Sequence, residues 1–262
     1  MTRILLAVII IAAFMTACSF DRSFFSGDDQ TGMSFNRYDR LETRYLTTGD
    51  LSALQTMKTQ YPEETRTLVE NLLNIGVVNA PGINAKLRDY YKDSTLSVIL
   101  RDVDTEFESM DDENVKLNAA FTRLRDMLPE LSVPVVYTQV GDLGESIVVS
   151  GNLVGVSLDK YLGEDYSIYK KFYTNEQRRQ MKREYIVPDC LSIYLLSVYP
   201  LKNYETSTQQ ERDFHVQCIW YIVNKALGED FYSSQQISLA RKYLSNHKDI
   251  SFSQLLVSFG KE

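Results

Sequence analysis

The stretch VPVVYTQVGDLGESIVVSGNLVGVSL, residues 133–158, decides the fold class of this chain. It holds three short runs rich in β-branched residues, at 133–138, 146–149 and 153–158. Turn-forming sequences separate the runs, with glycines at both ends of 141–144 and a Gly-Asn pair at 151–152. Short β-branched runs divided by such turns are typical of neighbouring strands that include a hairpin. We predict one small β-sheet here.

The sequence on either side of this stretch has the periodicity of helices. Apolar residues recur three and four positions apart from 35 to 128, Asp50 can cap a helix and Pro62 can begin one. Further helices are expected before the sheet at 83–91, 96–107 and 115–128. After the sheet, helices are expected at 175–185, 188–199, 208–227 and 234–244. Helices around one small central sheet define an α+β fold. We assign residues 35–262 to a single α+β domain.

The composition is that of an ordinary globular chain. Of its 262 residues, 44% are hydrophobic and 24% are charged, which excludes collagen-like, low-complexity and disordered chains. Thirty-five acidic residues against 28 basic residues give a net charge of −7. A protein that binds nucleic acid by neutralising phosphates carries the opposite charge, so we expect no nucleic-acid partner.

The first 18 residues have the features of an export signal. Arg3 supplies a positive start, residues 4–15 form an almost unbroken apolar run, and small residues precede Cys18. About 12 apolar residues are too few for a membrane-spanning helix, which needs roughly 20. Small residues at the end of a short apolar run mark a cleavage site. We predict that residues 1–17 are a signal peptide and that Cys18 is lipidated; the alternative is an ordinary secretion signal without a role for Cys18.

Lipidation at Cys18 would make the membrane a partner of the chain, because two or three acyl chains anchor a protein stably. Residues 18–34, with several Ser, Gly and Asp, are expected to form a flexible tether. Phe20 stands where, by similarity to lipoprotein sorting rules, Asp would favour retention in the inner membrane. We therefore expect an anchor in the outer membrane on its periplasmic face, with surface display as the alternative.

Two further cysteines, Cys190 and Cys218, would enter an oxidising compartment after export. A bridge between them would close a loop of about 28 residues and could stabilise the fold by roughly 3 kcal/mol. Both also lie in apolar helical stretches, where a free thiol packs as a small hydrophobic group. The sequence leaves both arrangements open and marks neither cysteine as a nucleophile.

The segment around the third predicted strand carries a signature. Residues 155–163 read GVSLDKYLG, and residues 181–189 read MKREYIVPD. This pattern resembles the gliding motility lipoprotein GldB family, in which a strand ends in a G-x-x-LDxYLG signature and an I-x-x-D helix lies beyond it. The signature residues in this chain are Leu158, Asp159, Tyr161, Leu162 and Gly163.

The resemblance implies an envelope lipoprotein associated with gliding or type IX secretion, without established catalysis or a cofactor. Such a protein would act as an assembly or interaction factor with other envelope proteins as partners. The GldB family also looks like a relative of zinc peptidases, so a zincin-like remnant of the fold, and an atypical zinc-peptidase-like hydrolase, are the alternatives.

A zinc peptidase needs two imidazoles one helical turn apart with a carboxylate beside them. The corresponding helix here, residues 188–196, contains neither His nor Glu, and the chain has no H-E-x-x-H sequence. Folding could still gather Asp189, Cys190, His215 and Cys218 into a metal site. A surface histidine and buried thiols are the simpler interpretation, and we expect no metal.

Two groups of charged residues offer further roles. Asp159 could pair with Glu164 and Asp165 for acid–base chemistry, but we predict that it is a helix N-cap after the strand. A basic run suits a solvated helix face, with reception of an acidic partner as the alternative. This run consists of Arg178, Arg179, Lys182 and Arg183.

Tyrosines near the signature are candidates for contact with a partner. The chain has 17 Tyr and 1 Trp, and tyrosine offers contact area and a hydroxyl at modest entropic cost. We expect most of these tyrosines to pack in the core. If one patch contacts a partner, we expect it at Tyr166 and Tyr169, together with Tyr161 and Leu162.

Overall fold

The structure, a computed structural model, describes residues 32–257. The predicted signal peptide, Cys18 and nearly all of the predicted tether lie outside the described residues. The main chain is bound to the body from Met33 onward, since the N–H of Met33 donates to Asn118 Oδ1 at 3.0 Å. The N–H of Phe35 donates to Asn114 Oδ1 at 2.9 Å in the same way.

The part of the body before the sheet is helical, as its apolar periodicity predicts. Asp50 caps its second helix through the N–H groups of Ser52 and Ala53, and Pro62 begins its third. That third helix continues as a π-helix over Thr67–Leu72, a widening that nothing in the sequence signals. The α-helices are α1 Tyr38–Thr48, α2 Leu51–Gln60, α3 Pro62–Arg66, α4 Ile83–Tyr90, α5 Ser94–Glu106 and α6 Asp111–Met127.

The three predicted strands form a mixed sheet with β3 in its centre. Its strands are β1 Val135–Gln139, β2 Ile147–Ser150 and β3 Leu153–Ser157, in the order β1-β3-β2. β2 and β3 are the predicted hairpin, and β1 runs parallel to β3. Asn36 pairs with Tyr137 along the outer edge of β1. The predicted α+β class is therefore confirmed.

Helices resume after the sheet, but the predicted helix at 175–185 is wrong. The chain leaves the helical conformation after Arg178, because Lys182 pairs with Leu162 and the N–H of Gly163 donates to Met181 O at 3.0 Å. No helix among residues 32–257 is long and apolar enough to cross a membrane. The α-helices are α7 Tyr169–Phe172, α8 Asn175–Arg178, α9 Ile186–Val198, α10 Gln209–Leu227, α11 Ser238–Asn246 and α12 Phe252–Val257.

The sheet is packed tightly at one glycine. Gly155, in the central strand, pairs with Tyr137 in β1 and with Val148 in β2. The ring of the fully buried Tyr137 lies across it, so that a Cβ at Gly155 would be 2.6 Å from both Cζ and Oη of that ring. The close approach of this ring therefore requires glycine in the signature strand.

Candidate functional site

The signature begins in a short 3₁₀ turn, Leu158–Lys160, directly after β3. Asp159 is fully buried there, and its Oδ1 accepts the N–H of Gly141 at 2.6 Å. Its Oδ2 accepts the N–H of Leu143 at 2.8 Å. We call residues 140–144, which connect β1 towards β2, the clamped loop. The prediction that Asp159 caps a helix is wrong, because its carboxylate instead binds the main chain of this loop.

Lys160 binds the carbonyl groups of the same loop. Its Nζ donates to Leu143 O at 3.0 Å and to Gly144 O at 2.8 Å. The Tyr173 hydroxyl also donates to Leu143 O, and Lys160 Nζ lies 4.4 Å from the centre of the Tyr173 ring. Asp159 and Lys160 therefore hold the N–H groups and the carbonyls of one loop from adjacent positions in the signature.

Side chains from distant helices hold the other end of the clamped loop. Glu42, fully buried in α1, accepts the N–H of Val140 at 2.9 Å. The Tyr91 hydroxyl, directly after α4, donates to Val140 O at 2.5 Å. The neighbouring Tyr90 hydroxyl donates to Asp142 Oδ2 at 2.6 Å. The loop is thus fixed by groups that lie far apart along the chain.

Leu143 adopts a backbone conformation that L-residues rarely take, with φ of +69°. Such a conformation costs on the order of 1–3 kcal/mol and persists where surrounding contacts determine it. At Leu143 those contacts are the hydrogen bonds to Asp159, Lys160 and Tyr173. The signature therefore maintains a loop shape that the loop sequence alone does not favour.

The remaining signature residues fasten the turn to its surroundings. The N–H of Leu162 donates to the hydroxyl of Tyr169 at 3.0 Å, and that hydroxyl donates to the carbonyl of Asp159. Gly163 has φ of +106°, a conformation for which glycine is suited. These contacts explain why a tyrosine beyond the signature belongs to the same structural unit.

The two tyrosines predicted to contact a partner differ in their exposure. Tyr169 is fully buried, so the prediction that it contacts a partner is wrong. Its side chain packs in the core and forms hydrogen bonds there. Tyr161 is buried as well. Tyr166 keeps part of its surface exposed, while its hydroxyl donates to Asp102 Oδ2 at 2.6 Å. Of these three tyrosines, Tyr166 alone is not fully buried.

Tyr161 links the signature to α9. Its hydroxyl donates to Asp189 Oδ2 at 2.9 Å, in the first turn of that helix. Burial raises the pKa of Asp189 to about 7, and the hydrogen bond from Tyr161 lowers it in part. Burial likewise raises the pKa of Asp159 to about 6, against the lowering effect of the N–H groups of Gly141 and Leu143. Carboxyl groups shifted in this way can exchange protons near neutral pH.

These pKa shifts predict that the fold is more stable at pH 5 than at pH 8. An unfolded Asp titrates near 3.9, so a raised pKa means that the folded state binds the proton more tightly. The stabilisation is complete below the unfolded pKa of about 3.9. It is lost as the pH rises through about 6 for Asp159 and about 7 for Asp189. His215 is buried and not on the surface as predicted. Burial lowers its pKa, which acts in the opposite direction below pH 6.5.

Asp189→Asn separates these contributions. The variant keeps an oxygen that can accept from Tyr161 and removes the buried charge, so its advantage in stability over the native chain should grow between pH 5 and pH 8. Thermal unfolding across this pH range measures both curves. An unchanged slope between pH 6 and 8 would show that Asp189 does not titrate there. Asp165→Asn is the matched control, since the side chain of Asp165 is 90% exposed.

The cysteines and the histidine considered for metal binding do not assemble into a site. Cys190 and Cys218 are free and fully buried, so the bridge left open by the sequence is not formed in this structure. Burial raises the pKa of both thiols, that of Cys218 to about 12, which keeps them protonated. Within residues 32–257, no three His, Cys, Asp or Glu side chains are placed to hold one metal ion.

The basic run is not one solvated helix face. Arg183 Nε donates to the buried Glu113 at 2.6 Å, which joins this run to α6. Arg178 donates to Glu164 O at 2.9 Å. Arg179 is exposed and forms no ion pair within the described part of the chain. Much of the basic run therefore stabilises the segment after the signature.

The fold and the site together define a class of protein: a helical α+β body around a mixed three-stranded sheet, with a buried LDxYLG turn that holds a loop. Residues 27–219, most of the chain, match the model of the family described as gliding motility protein GldB. The chain therefore belongs to the GldB family, and the resemblance found in its signature is confirmed. No curated protein and no solved structure matches the chain.

Family membership makes this chain a gliding motility-related lipoprotein. The matched region ends at Ile219, within α10, so α11 and α12 lie beyond it. All of the clamped loop and the whole signature lie inside the matched region. The site described above therefore falls in the part of the chain that the family model covers.

Proposed function

We propose that this chain is a lipoprotein of the outer membrane, facing the periplasm, that acts without catalysis by binding and positioning envelope proteins of gliding or secretion machinery. The observation that supports this function most strongly is the use of the signature carboxylate. Both oxygens of Asp159 accept main-chain N–H groups of the clamped loop, and the side chain is fully buried.

A group that acts as an acid, a base or a nucleophile must reach its substrate. The polar atoms of the signature instead bind neighbouring parts of the chain: Asp159 and Lys160 bind the clamped loop, and Tyr161 binds Asp189. The family is not known as a catalytic family. These contacts favour a role in shaping a surface.

A rigid loop is suited to binding. Ordering a mobile loop on contact with a partner weakens affinity, so a loop held in advance avoids that loss. The clamped loop is followed directly by the exposed Glu145, and Gly144 within it is also exposed. We therefore propose that the partner surface includes the exposed residues 144–145 and the partly exposed Tyr166.

The anchor is tested by Cys18→Ser. The variant lacks the sulfur that would carry a diacylglyceryl group, so we expect it to leave the membrane fraction and to lose labelling by radioactive palmitate. Ser19→Ala is the matched control and should behave as the native chain does. Unchanged membrane association and labelling of the Cys18→Ser variant would contradict the proposed anchor.

The interaction role is tested by photocrosslinking in living cells. A photoreactive amino acid replaces Glu145 in one strain and Leu51, which is 73% exposed on α2, in another. We expect a defined crosslinked envelope protein from position 145 and not from position 51, together with impaired secretion or motility in a deletion strain. Absence of both results would contradict the proposed function.

A further inference from the structure

The helix after the signature exposes an aromatic side chain beside two lysines. Phe172, at the end of α7, is 60% exposed. Lys170 and Lys171 precede it and are exposed as well, and Arg179 is exposed just beyond α8. We call Phe172, Lys170 and Lys171 the α7 patch. Aromatic residues are enriched in protein interfaces, whose rim is polar and solvent-accessible.

The charge of this segment differs from that of the body. Residues 170–183 contain six basic residues and one acidic residue, whereas residues 33–257 contain 25 basic and 31 acidic residues, a net charge of −6. Lys171 and Arg179 form no ion pair among the described residues. Lys170 Nζ lies 3.7 Å from Asp165, whose side chain is 90% exposed, so this pair is loose. The positive charge of the α7 patch is therefore available to a partner.

The position of Phe172 is fixed by its neighbours. Tyr169, at the start of α7, is fully buried and makes an edge contact with the ring of Tyr173 at 5.8 Å. The Tyr173 hydroxyl is in turn bound to Leu143 O in the clamped loop. Tyr169 therefore packs α7 against the body, while Phe172 on the same helix remains exposed.

We infer that the α7 patch binds an acidic segment of a partner protein, with an apolar side chain of that segment covering Phe172. The positive charges of the patch attract carboxylates, and the aromatic ring supplies apolar area. A polypeptide segment suits the patch better than an anionic bilayer does. The wide bilayer surface would also approach the acidic remainder of the body and be repelled by it. This inference rests on the proposed function and names the chemistry of the partner.

Binding of synthetic peptides to the lipidated full chain in detergent micelles tests the inference. The probe is a fluorescent peptide of alternating Glu and Leu, compared with a Lys and Leu peptide of the same length. We expect the acidic peptide alone to bind, and to bind less tightly as the salt concentration rises. Phe172→Ala should weaken binding about tenfold, and the double variant Lys170→Glu, Lys171→Glu should weaken it further.

Leu51→Ala is the control, since it removes an exposed apolar side chain elsewhere and should leave binding unchanged. Equal binding of both peptides, or no effect of the Phe172 and lysine variants, would overturn the inference. Displacement of the acidic peptide by phosphatidylglycerol added to the micelles would overturn it in favour of a lipid surface. Failure here with a successful crosslink from position 145 would refute the α7 patch and leave the proposed function intact.

Discussion

Asp159→Ala is expected to lower the free energy of unfolding by about 2–4 kcal/mol and to release the clamped loop. The substitution leaves the N–H groups of Gly141 and Leu143 without an acceptor in a buried site, and each such group costs about 1–3 kcal/mol. Burial has raised the pKa of Asp159 to about 6, so the removal of this unfavourably buried charge offsets part of that loss. Urea unfolding at pH 7 measures the difference.

Two further variants make this result specific. Asp159→Asn keeps one acceptor oxygen, so it should be destabilised less than Asp159→Ala. Asp165→Ala, at a side chain that is 90% exposed, should change the stability by less than about 0.5 kcal/mol. If Asp159→Ala were as stable as the native chain, its carboxylate could not be the support of the loop.

Gly155→Ala is expected to destabilise the fold by about 3 kcal/mol, the upper end of the range for overpacked cores. The new methyl group would lie 2.6 Å from Cζ and from Oη of Tyr137, and a rigid aromatic side chain cannot bend to avoid it. Tyr137 is fully buried, so neither side chain can turn to solvent. Denaturant unfolding of the purified variant measures the loss.

A double-mutant cycle identifies the clash as the cause. Tyr137→Ala by itself removes a buried ring and should be destabilising, but in the Gly155→Ala background it also removes the collision. We therefore expect the double variant to be more stable than the sum of the single changes predicts. Strict additivity would show that the two residues do not collide.

The strands were predictable because their signals are local. Residues 147–150 and 153–157 follow each other across a Gly-Asn turn, and the hairpin needs no information from elsewhere in the chain. The caps of α2 and α10 are equally local: Asp50 and Thr208 each accept N–H groups within the first turn of the helix that follows. The fold class follows from such patterns.

The clamp was not predictable because its contacts are distant. Glu42 binds an N–H group that is 98 residues away, and Tyr91 binds the carbonyl of the same residue from 49 residues away. Both are ordinary residues of helical segments when the sequence alone is considered. The signature pointed to Asp159. Only the folded chain shows that its carboxylate oxygens accept main-chain N–H groups of the clamped loop.

The errors around α7 and α8 have a common physical cause. Local periodicity favours one helix at 175–185, yet pairing of Lys182 with Leu162 in the signature ends it early. Tyr169 was a candidate for partner contact because tyrosine suits such surfaces, yet its hydroxyl binds the carbonyl of Asp159 inside the body. Tertiary contacts with the signature override local preference in both cases.

Amide hydrogen exchange at Gly141 and Leu143 tests the central claim, that the signature carboxylate serves the clamped loop. We expect both amides to exchange at least about a hundredfold more slowly than the amide of the exposed Glu145 at pH 7 in the native chain. In Asp159→Ala, which removes both acceptor oxygens, the Gly141 and Leu143 amides should exchange markedly faster. Exchange of these two amides at the rate of Glu145 in the native chain would show that the carboxylate is free, and would contradict the account.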